Sequence, residues 1–244
     1  MNTFSDSLWM AIELLLALDP ALWVIVGRSL AVSALACLIG YLLGVVLGAA
    51  LAVGRFAGRS LVLLFLNTLL ALPSVVVGLV VYLLLSRSGP LGHLGWLFSF
   101  KAMVLAQVIL VLPVVTALTR QVVEDVERQH GEQWQSLGAG TWLRSLLLAW
   151  DERMALMTIF VTAFGRAVSE VGAVMIVGGN IDGFTRVMTT AIALETSKGD
   201  LPLALALGMV LLGVVGVLNG LVMLLRAGGP ERLGAAQSLA GGAG

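Results

Sequence analysis

Residues 29–54 read SLAVSALACLIGYLLGVVLGAALAVG, and this stretch decides the fold class. No charged side chain interrupts it between Arg28 and Arg55. A helix needs about 20 apolar residues to cross the hydrocarbon core of a bilayer, and a tilted helix can use about 25. The stretch is therefore long enough to form one tilted transmembrane helix.

The composition of the whole chain indicates a membrane protein. Of the 244 residues, 59% are hydrophobic and 11% are charged, and the mean hydropathy is +1.02. Soluble domains have about 45–50% apolar and about 25% charged residues. The apolar runs are continuous, whereas the strands of an outer-membrane barrel alternate apolar and polar residues. We expect an all-α polytopic membrane protein. The formal net charge of zero argues against nucleic acid as a partner.

Charged residues divide the chain into about five predicted transmembrane helices. Each helix corresponds to an apolar run of sufficient length to cross the bilayer. Together they form a predicted transmembrane domain over residues 21–226. The runs lie between Arg28 and Arg55, between Arg59 and Arg87, between Lys101 and Arg120, from Arg153 to Gly179, and between Asp200 and Arg226.

The two ends of the chain are predicted to lie outside these spans. Residues 5–18, SDSLWMAIELLLAL, are too short to cross a bilayer comfortably, and Trp9 is of the type that anchors at a membrane surface. We expect residues 1–20 to form an interfacial helix, with a sixth, buried span as the alternative. Residues 227–244 are rich in glycine and alanine and are predicted to form a flexible tail.

A polar segment between the third and fourth spans, residues 120–153, is predicted to be cytoplasmic. Cytoplasmic loops carry an excess of Lys and Arg, and the side of the membrane that holds this segment has eight such residues against five. With five spans, the N-terminus then lies outside. The eight are Arg55, Arg59, Arg120, Arg128, Arg144, Arg153, Arg226 and Arg232, and the five are Arg28, Arg87, Lys101, Arg186 and Lys198.

Small residues within the spans indicate where helices pack closely, and prolines indicate where a helix is interrupted. Gly40, Gly44 and Gly48 form a stripe at four-residue spacing, which lets another backbone approach closely, either within one protomer or in a homodimer. Pro73 and Pro113 lie inside predicted spans, where each removes a helical hydrogen bond. These interruptions either shape a central pathway or are plain architecture.

The fourth span carries two charges inside its apolar run. GRAVSEVGA, residues 165–173, contains Arg166 and Glu170, and an isolated charge at mid-membrane costs about 2.5–3.5 kcal/mol on insertion scales. Four residues apart on one helix, the two side chains would share a face and reach each other. Two interpretations remain open: the pair is self-neutralising and orders the helix, or Arg166 faces a pathway and attracts an anion.

The sequence offers no support for an enzyme. It contains no nucleophile–base pairing, no phosphate-binding loop and no set of residues at metal-ligand spacing. Cys37 is the only cysteine, which excludes an internal disulfide and a cysteine-based metal site. We expect no catalytic residue, metal or cofactor in this chain.

Within the polar segment, one motif resembles a known family. EQWQSLG, residues 132–138, is similar to the cytoplasmic signature Glu-Ala-Ala-x-x-x-Gly of ABC importer permeases. Glu132 and Gly138 match the signature, whereas Gln133 and Trp134 replace its two alanines. Glycines and alanine at the end of the motif are expected to break the helix and let the chain turn.

A longer segment resembles the molybdate branch of these permeases and especially the tungstate branch. Residues 165–200 read GRAVSEVGAVMIVGGNIDGFTRVMTTAIALETSKGD. Arg166 stands at the arginine of molybdate permeases, residues 169–173 at their Gly-Glu-Phe-Gly-Ala, and residues 179–181 at their Gly-Asn-Ile. The sequence from Thr185 onward is similar to that of tungstate permeases.

The resemblance spans about residues 20–225, including the Leu-Pro and glycine-rich turn in residues 72–92. It implies a homodimeric, multi-pass permease of the cytoplasmic membrane that moves a tetrahedral oxyanion by alternating access. Two cytoplasmic ATP-binding subunits would dock on a coupling helix beginning near Glu132, and an extracytoplasmic binding protein would deliver the anion. ATP would bind those partner subunits, not this chain.

The candidate functional residues form two sets. Those expected to couple to the ATPase are Glu132, Gly138, Ala139 and Gly140, and those expected on the translocation path or its gate are Arg166, Ser169, Glu170, Asn180, Thr189 and Thr190. The resemblance implies tungstate as the preferred substrate and molybdate as the next. The alternatives are a permease for sulfate or phosphate, which share the architecture, and a structural membrane protein without transport.

Overall fold

A computed structural model describes residues 4–136 and 140–227, and the regular elements in these ranges are helices, which confirms the all-α prediction. A short 3₁₀ helix spans Gly92–Leu94. The α-helices are α1 (Phe4–Leu16), α2 (Pro20–Val53), α3 (Arg59–Leu70), α4 (Ser74–Leu85), α5 (Phe100–Ser136), α6 (Thr141–Asp151), α7 (Arg153–Val168), α8 (Gly172–Gly178), α9 (Met188–Lys198) and α10 (Leu201–Ala227).

Three of these helices, α2, α5 and α10, are each long and apolar enough to cross a membrane. Two helix pairs are apolar enough together but are sharply bent. The axes of α3 and α4 meet at 101°, and those of α7 and α8 meet at 57°. If each bent pair is one span, the described chain has five spans, in the order and at the positions that the charged residues predict.

The two prolines act differently on their helices. Pro73 lies at the break between α3 and α4 with extended backbone, φ −62° and ψ 133°, and α4 begins directly after it. A proline disfavours helical backbone in the residue before it, so α3 ends upstream of Leu72. Pro113 instead lies inside α5, which continues on both sides. Only the interruption at Pro73 therefore divides a span.

Close packing of α2 on α5 forms the centre of the protomer. A Cβ atom added at Gly40 would lie 2.9 Å from the side chain of Val111, and one added at Gly44 would lie 2.8 Å from that of Val115. At Gly48 a Cβ would lie 2.6 Å from a backbone oxygen of α5. Small residues let two helix backbones approach in this way. The glycine stripe thus packs within the protomer.

Ion pairs join three helices at the end of the bundle that holds the polar segment. Glu124 on α5 pairs with Arg59 on α3 at 3.1 Å and with Arg120 one turn away on its own helix. Glu127 on α5 pairs with Arg144 on α6 at 3.0 Å. Arginines that the sequence groups on one side of the membrane therefore lie at one end of the molecule.

The polar segment corrects one sequence expectation. α5 runs without a break from Phe100 to Ser136, so no separate helix begins near Glu132. The segment has no proline and is rich in Gln, Glu and Arg, which favour helix. A new helix, α6, starts after Gly140, which is exposed at its N-terminus. Gly138 and Ala139 lie outside the described residues.

The N-terminal helix α1 packs against α10. Ala11 is buried in this contact, whereas Trp9 is 72% exposed. The chain then turns, and the carboxylate of Asp19 accepts a hydrogen bond from the N–H of Ala21 at 2.7 Å, which caps α2. The position of α1 relative to the bilayer stays a prediction. Residues 228–244, which hold nearly all of the predicted tail, lie outside the described residues.

Candidate functional site

The fourth span breaks inside the GRAVSEVGA stretch. α7 ends at Val168 and α8 begins at Gly172. A Cβ atom at Gly172 would lie 2.7 Å from a methyl of Val75 and 2.9 Å from the hydroxyl of Ser74, so only glycine allows this contact. Ser74 is the first residue of α4. The breaks of the two bent spans therefore lie side by side.

This break separates Arg166 from Glu170. The Glu170 carboxylate accepts a hydrogen bond from the N–H of Ala173 at 3.3 Å, and its backbone oxygen accepts one from the Thr189 hydroxyl at 2.7 Å. No ion pair joins Arg166 to Glu170, or to any other residue that the structure describes. Of the two interpretations, the self-neutralising pair is therefore not formed here, because a shared helical face requires an unbroken helix.

Arg166 is exposed on the surface of the protomer. It lines a cavity of about 140 Å³ between α7 and α10, together with Thr162 and Asn219. On its other side it borders a small void of about 10 Å³, which Gln107 and Glu170 also line. Ionisable side chains within membrane spans face the bundle interior or a water-filled cavity. Since Arg166 is exposed and lines a cavity between two helices, it is accessible from outside the protomer.

Gln107 on α5 supports this region, and sequence reasoning missed it. Its side chain is 3% exposed, and its Nε2 donates to the backbone oxygen of Ala167 at 2.9 Å and to the hydroxyl of Ser33 at 3.4 Å. The Ala167 oxygen also accepts from the N–H of Glu170 at 3.2 Å, so the Gln107 bond is an additional one that ties the end of α7 to α5. The sequence feature that could have drawn attention to it is that Gln107 is the only amide side chain between Lys101 and Arg120.

The predicted residues after α8 form a hydrogen-bonded turn. Gly179 and Asn180 have left-handed backbone, with φ 70° and φ 50°, which confirms that the helix ends here. Asn180 Nδ2 donates to the backbone oxygen of Thr190 at 3.2 Å. The Thr190 hydroxyl is buried and accepts from the N–H of Val187 at 3.2 Å. Asn180 and Thr190 thus fix the entry into α9.

Comparison with known proteins shows the family. No family model matches the sequence. The chain is 39% identical over 226 residues to the tungstate uptake system permease protein TupB of Peptoclostridium acidaminophilum, which is 93% of this chain and 99% of that protein. It is 40% identical over 215 residues to a probable anion ABC transporter permease protein of Haloferax volcanii. The aligned residues cover 86% of this chain and 93% of that protein. The chain belongs to the permeases of oxyanion ABC transporters.

A third relative of this permease extends the comparison. The chain is 31% identical over 195 residues to the molybdenum transport system permease protein ModB of Escherichia coli K12, which is 75% of this chain and 83% of that protein. With its long apolar helices, the permease is a multi-pass integral protein of the cytoplasmic membrane.

The residues predicted to line the permease's path fall into separate environments. Arg166 and Ser169 are exposed, and the Ser169 hydroxyl donates to the backbone oxygen of Gly165 at 3.0 Å. Glu170 is half-buried and is joined to Thr189, which is 5% exposed. Of this predicted set, Arg166 alone has neither a hydrogen bond nor an ion pair within the described residues.

Proposed function

We propose that this permease is the membrane subunit of an ATP-driven importer for tungstate, with molybdate as the next substrate. The observation that carries the proposal is the exposed Arg166 guanidinium, which lies within a span and has no partner among the described residues. An uncompensated intramembrane cation is costly, and an anion in transit would offset that cost. The extensive similarity to a tungstate permease supports tungstate as the first anion to test.

The path lies between two copies of the chain in a homodimer. Arg166 from each copy would face this path and attract a divalent anion from the outer side. Glu170 borders the same small void as Arg166, so its carboxylate reduces the positive potential there. Conduction requires a site that attracts its ion and still releases it, and a cation moderated by a nearby carboxylate meets both needs.

Coupling to ATP uses the polar end of the bundle. Two cytoplasmic ATP-binding subunits would dock around Glu132, Gly138, Ala139 and Gly140, and closure of those subunits would switch the permease between inward-facing and outward-facing states. The Glu127–Arg144 ion pair holds α6 to α5 on either side of this segment. A displacement there would therefore move α5 as well as α6.

One continuous helix connects the docking segment to Arg166. α5 carries Glu132 near one end and Gln107 near the other, and 25 residues of helix span about 37 Å. Gln107 is hydrogen-bonded to Ala167, the residue after Arg166. Movement of α5 would thus reach the guanidinium through a buried hydrogen bond. ATP itself stays on the partner subunits, and an extracytoplasmic oxyanion-binding protein delivers the substrate.

Reconstitution tests this function. The permease, its ATPase and its binding protein are placed in liposomes, and accumulation of labelled tungstate is measured with and without ATP. We expect ATP-dependent accumulation, with unlabelled tungstate competing best, molybdate next, and sulfate and phosphate least. Stronger competition by sulfate or phosphate would assign the permease to one of those anions instead. If tungstate, molybdate, sulfate and phosphate are each supplied in labelled form and none accumulates, the result would favour a structural protein and refute transport.

A further inference from the structure

Asn219 is an isolated amide on α10, the least buried of the three long apolar helices that the structure describes. Residues 201–225 of α10 read LPLALALGMVLLGVVGVLNGLVMLL, in which Asn219 is the only side chain with a hydrogen-bonding group other than the weak acceptor sulfurs of two methionines. Only 17% of the most apolar window of this helix is buried. Asn219 is itself exposed, and it has no hydrogen-bond partner among the described residues. A polar group in hydrocarbon without a partner is costly.

The position of Asn219 relates it to Arg166. Both residues line the cavity of about 140 Å³ between α7 and α10. Positions of Cβ atoms at Gly216 and Gly220, on either side of Asn219 along the helix, have nothing within 4 Å. No described residue therefore covers the surface of α10 at these two positions beside Asn219.

The chemistry of this cavity favours an acceptor ligand. Arg166 offers guanidinium N–H groups and Asn219 an amide NH₂, while the Thr162 hydroxyl already donates to the backbone oxygen of Thr158 at 2.8 Å. The remaining lining residues are apolar or glycine, and no carboxylate is among the described residues that line it. A tetrahedral oxyanion carries only acceptor oxygens, and charge-assisted hydrogen bonds to such groups are strong.

We infer that Asn219 is a second anion-binding residue, which acts with Arg166 to hold a tetrahedral dianion between α10 and α7 during transit. This inference rests on the proposed function. A neutral amide adds directional hydrogen bonds without adding charge, so binding becomes more selective while the anion can still leave. Because the two ligands lie on different helices, separation of α7 from α10 would release the anion.

Uptake by the complete importer tests the inference first. Asn219→Leu removes the amide and leaves a side chain that membrane helices favour, so insertion is preserved. Below saturating tungstate, uptake is expected to fall about tenfold, the effect of losing about one hydrogen bond to a charged group. Val217→Leu is the matched control, because Val217 is 73% exposed on the same helix and lies outside the cavity lining. Its uptake is expected to equal that of the wild type.

Protection of an introduced thiol tests binding directly. In the assembled importer, Thr162→Cys places a thiol at the cavity, and the native Cys37 is buried and will not compete for a water-soluble maleimide. Tungstate is expected to slow labelling, and adding Asn219→Leu is expected to abolish that protection. Wild-type uptake together with unchanged uptake and protection in the Asn219→Leu variants would overturn this inference alone. Absence of tungstate uptake by the wild type would overturn both this inference and the proposed function.

Discussion

Gln107 on α5 donates its side-chain amide to the backbone oxygen of Ala167 at 2.9 Å, immediately after Arg166 on α7. The bond is buried and joins the long central helix to the point where the fourth span breaks. A carbonyl at a helix end needs such a partner when water is excluded. Gln107 therefore ties the end of α7, next to Arg166, to the central helix α5.

Loss of this bond should destabilise the protomer and disturb transport together. In Gln107→Leu the Ala167 oxygen keeps its bond from the Glu170 N–H at 3.2 Å but loses its bond to α5, and the loss of one side-chain hydrogen bond in a membrane protein costs about 1 kcal/mol. We expect a lower thermal unfolding midpoint in detergent and reduced uptake. Ile109→Leu on the same helix is the control, because Ile109 is 38% exposed. Equal midpoints and equal uptake in the two variants would contradict the role of Gln107.

Substitution of glycine by alanine on α2 should affect stability differently inside and outside the glycine stripe. Gly44→Ala would place a Cβ 2.8 Å from Val115, whereas Gly27→Ala meets nothing within 4 Å. Overpacking costs about 1–3 kcal/mol, and alanine in place of an unconstrained helical glycine contributes up to about 1 kcal/mol of stability. Thermal unfolding should therefore show a lower midpoint for Gly44→Ala and an unchanged or higher one for Gly27→Ala. Similar midpoints would mean that the stripe does not pack on α5.

Adjacent carboxylates on α5 should differ in their contribution to stability. Glu124 is 21% exposed and contacts Arg59, Arg120 and Arg128, whereas Asp125 is 68% exposed and, among the described residues, pairs only with Arg128 at 3.8 Å. Glu124→Gln is expected to lower the free energy of unfolding by about 1–3 kcal/mol, because charged groups lose their partner in a half-buried site. Asp125→Asn should change it by less than about 1 kcal/mol. Denaturation of the two variants in detergent measures the difference, and equal values would refute the proposed role of the ion-pair cluster.

The spans were predictable because their cause is local. An uncharged run long enough to cross a bilayer predicts a span between Asp200 and Arg226, and the structure has α10 at Leu201–Ala227. The turn at Gly179 and Asn180 was predictable for the same reason, since both residue types tolerate left-handed backbone.

The break between α7 and α8 was not predictable from local sequence. No proline marks it, and the close contact of Gly172 with Ser74 and Val75 is a tertiary feature. For this reason the sequence placed Arg166 and Glu170 on one helical face and could not decide between the two interpretations of the pair. An isolated amide within a span can be noticed in the sequence, yet periodicity does not show whether Gln107 faces the interior or Asn219 the surface.

The central claim is that the Arg166 guanidinium attracts the anion on its path, and uptake by the Arg166→Gln importer tests it most directly. Arg87→Gln is the control, because Arg87 is also exposed but lies between spans. Protein level and dimer assembly are measured in parallel. We predict that Arg166→Gln lowers tungstate uptake at least tenfold, by about the contribution of one charged hydrogen bond, while level and assembly equal those of Arg87→Gln. Wild-type uptake in the Arg166→Gln importer would contradict the account.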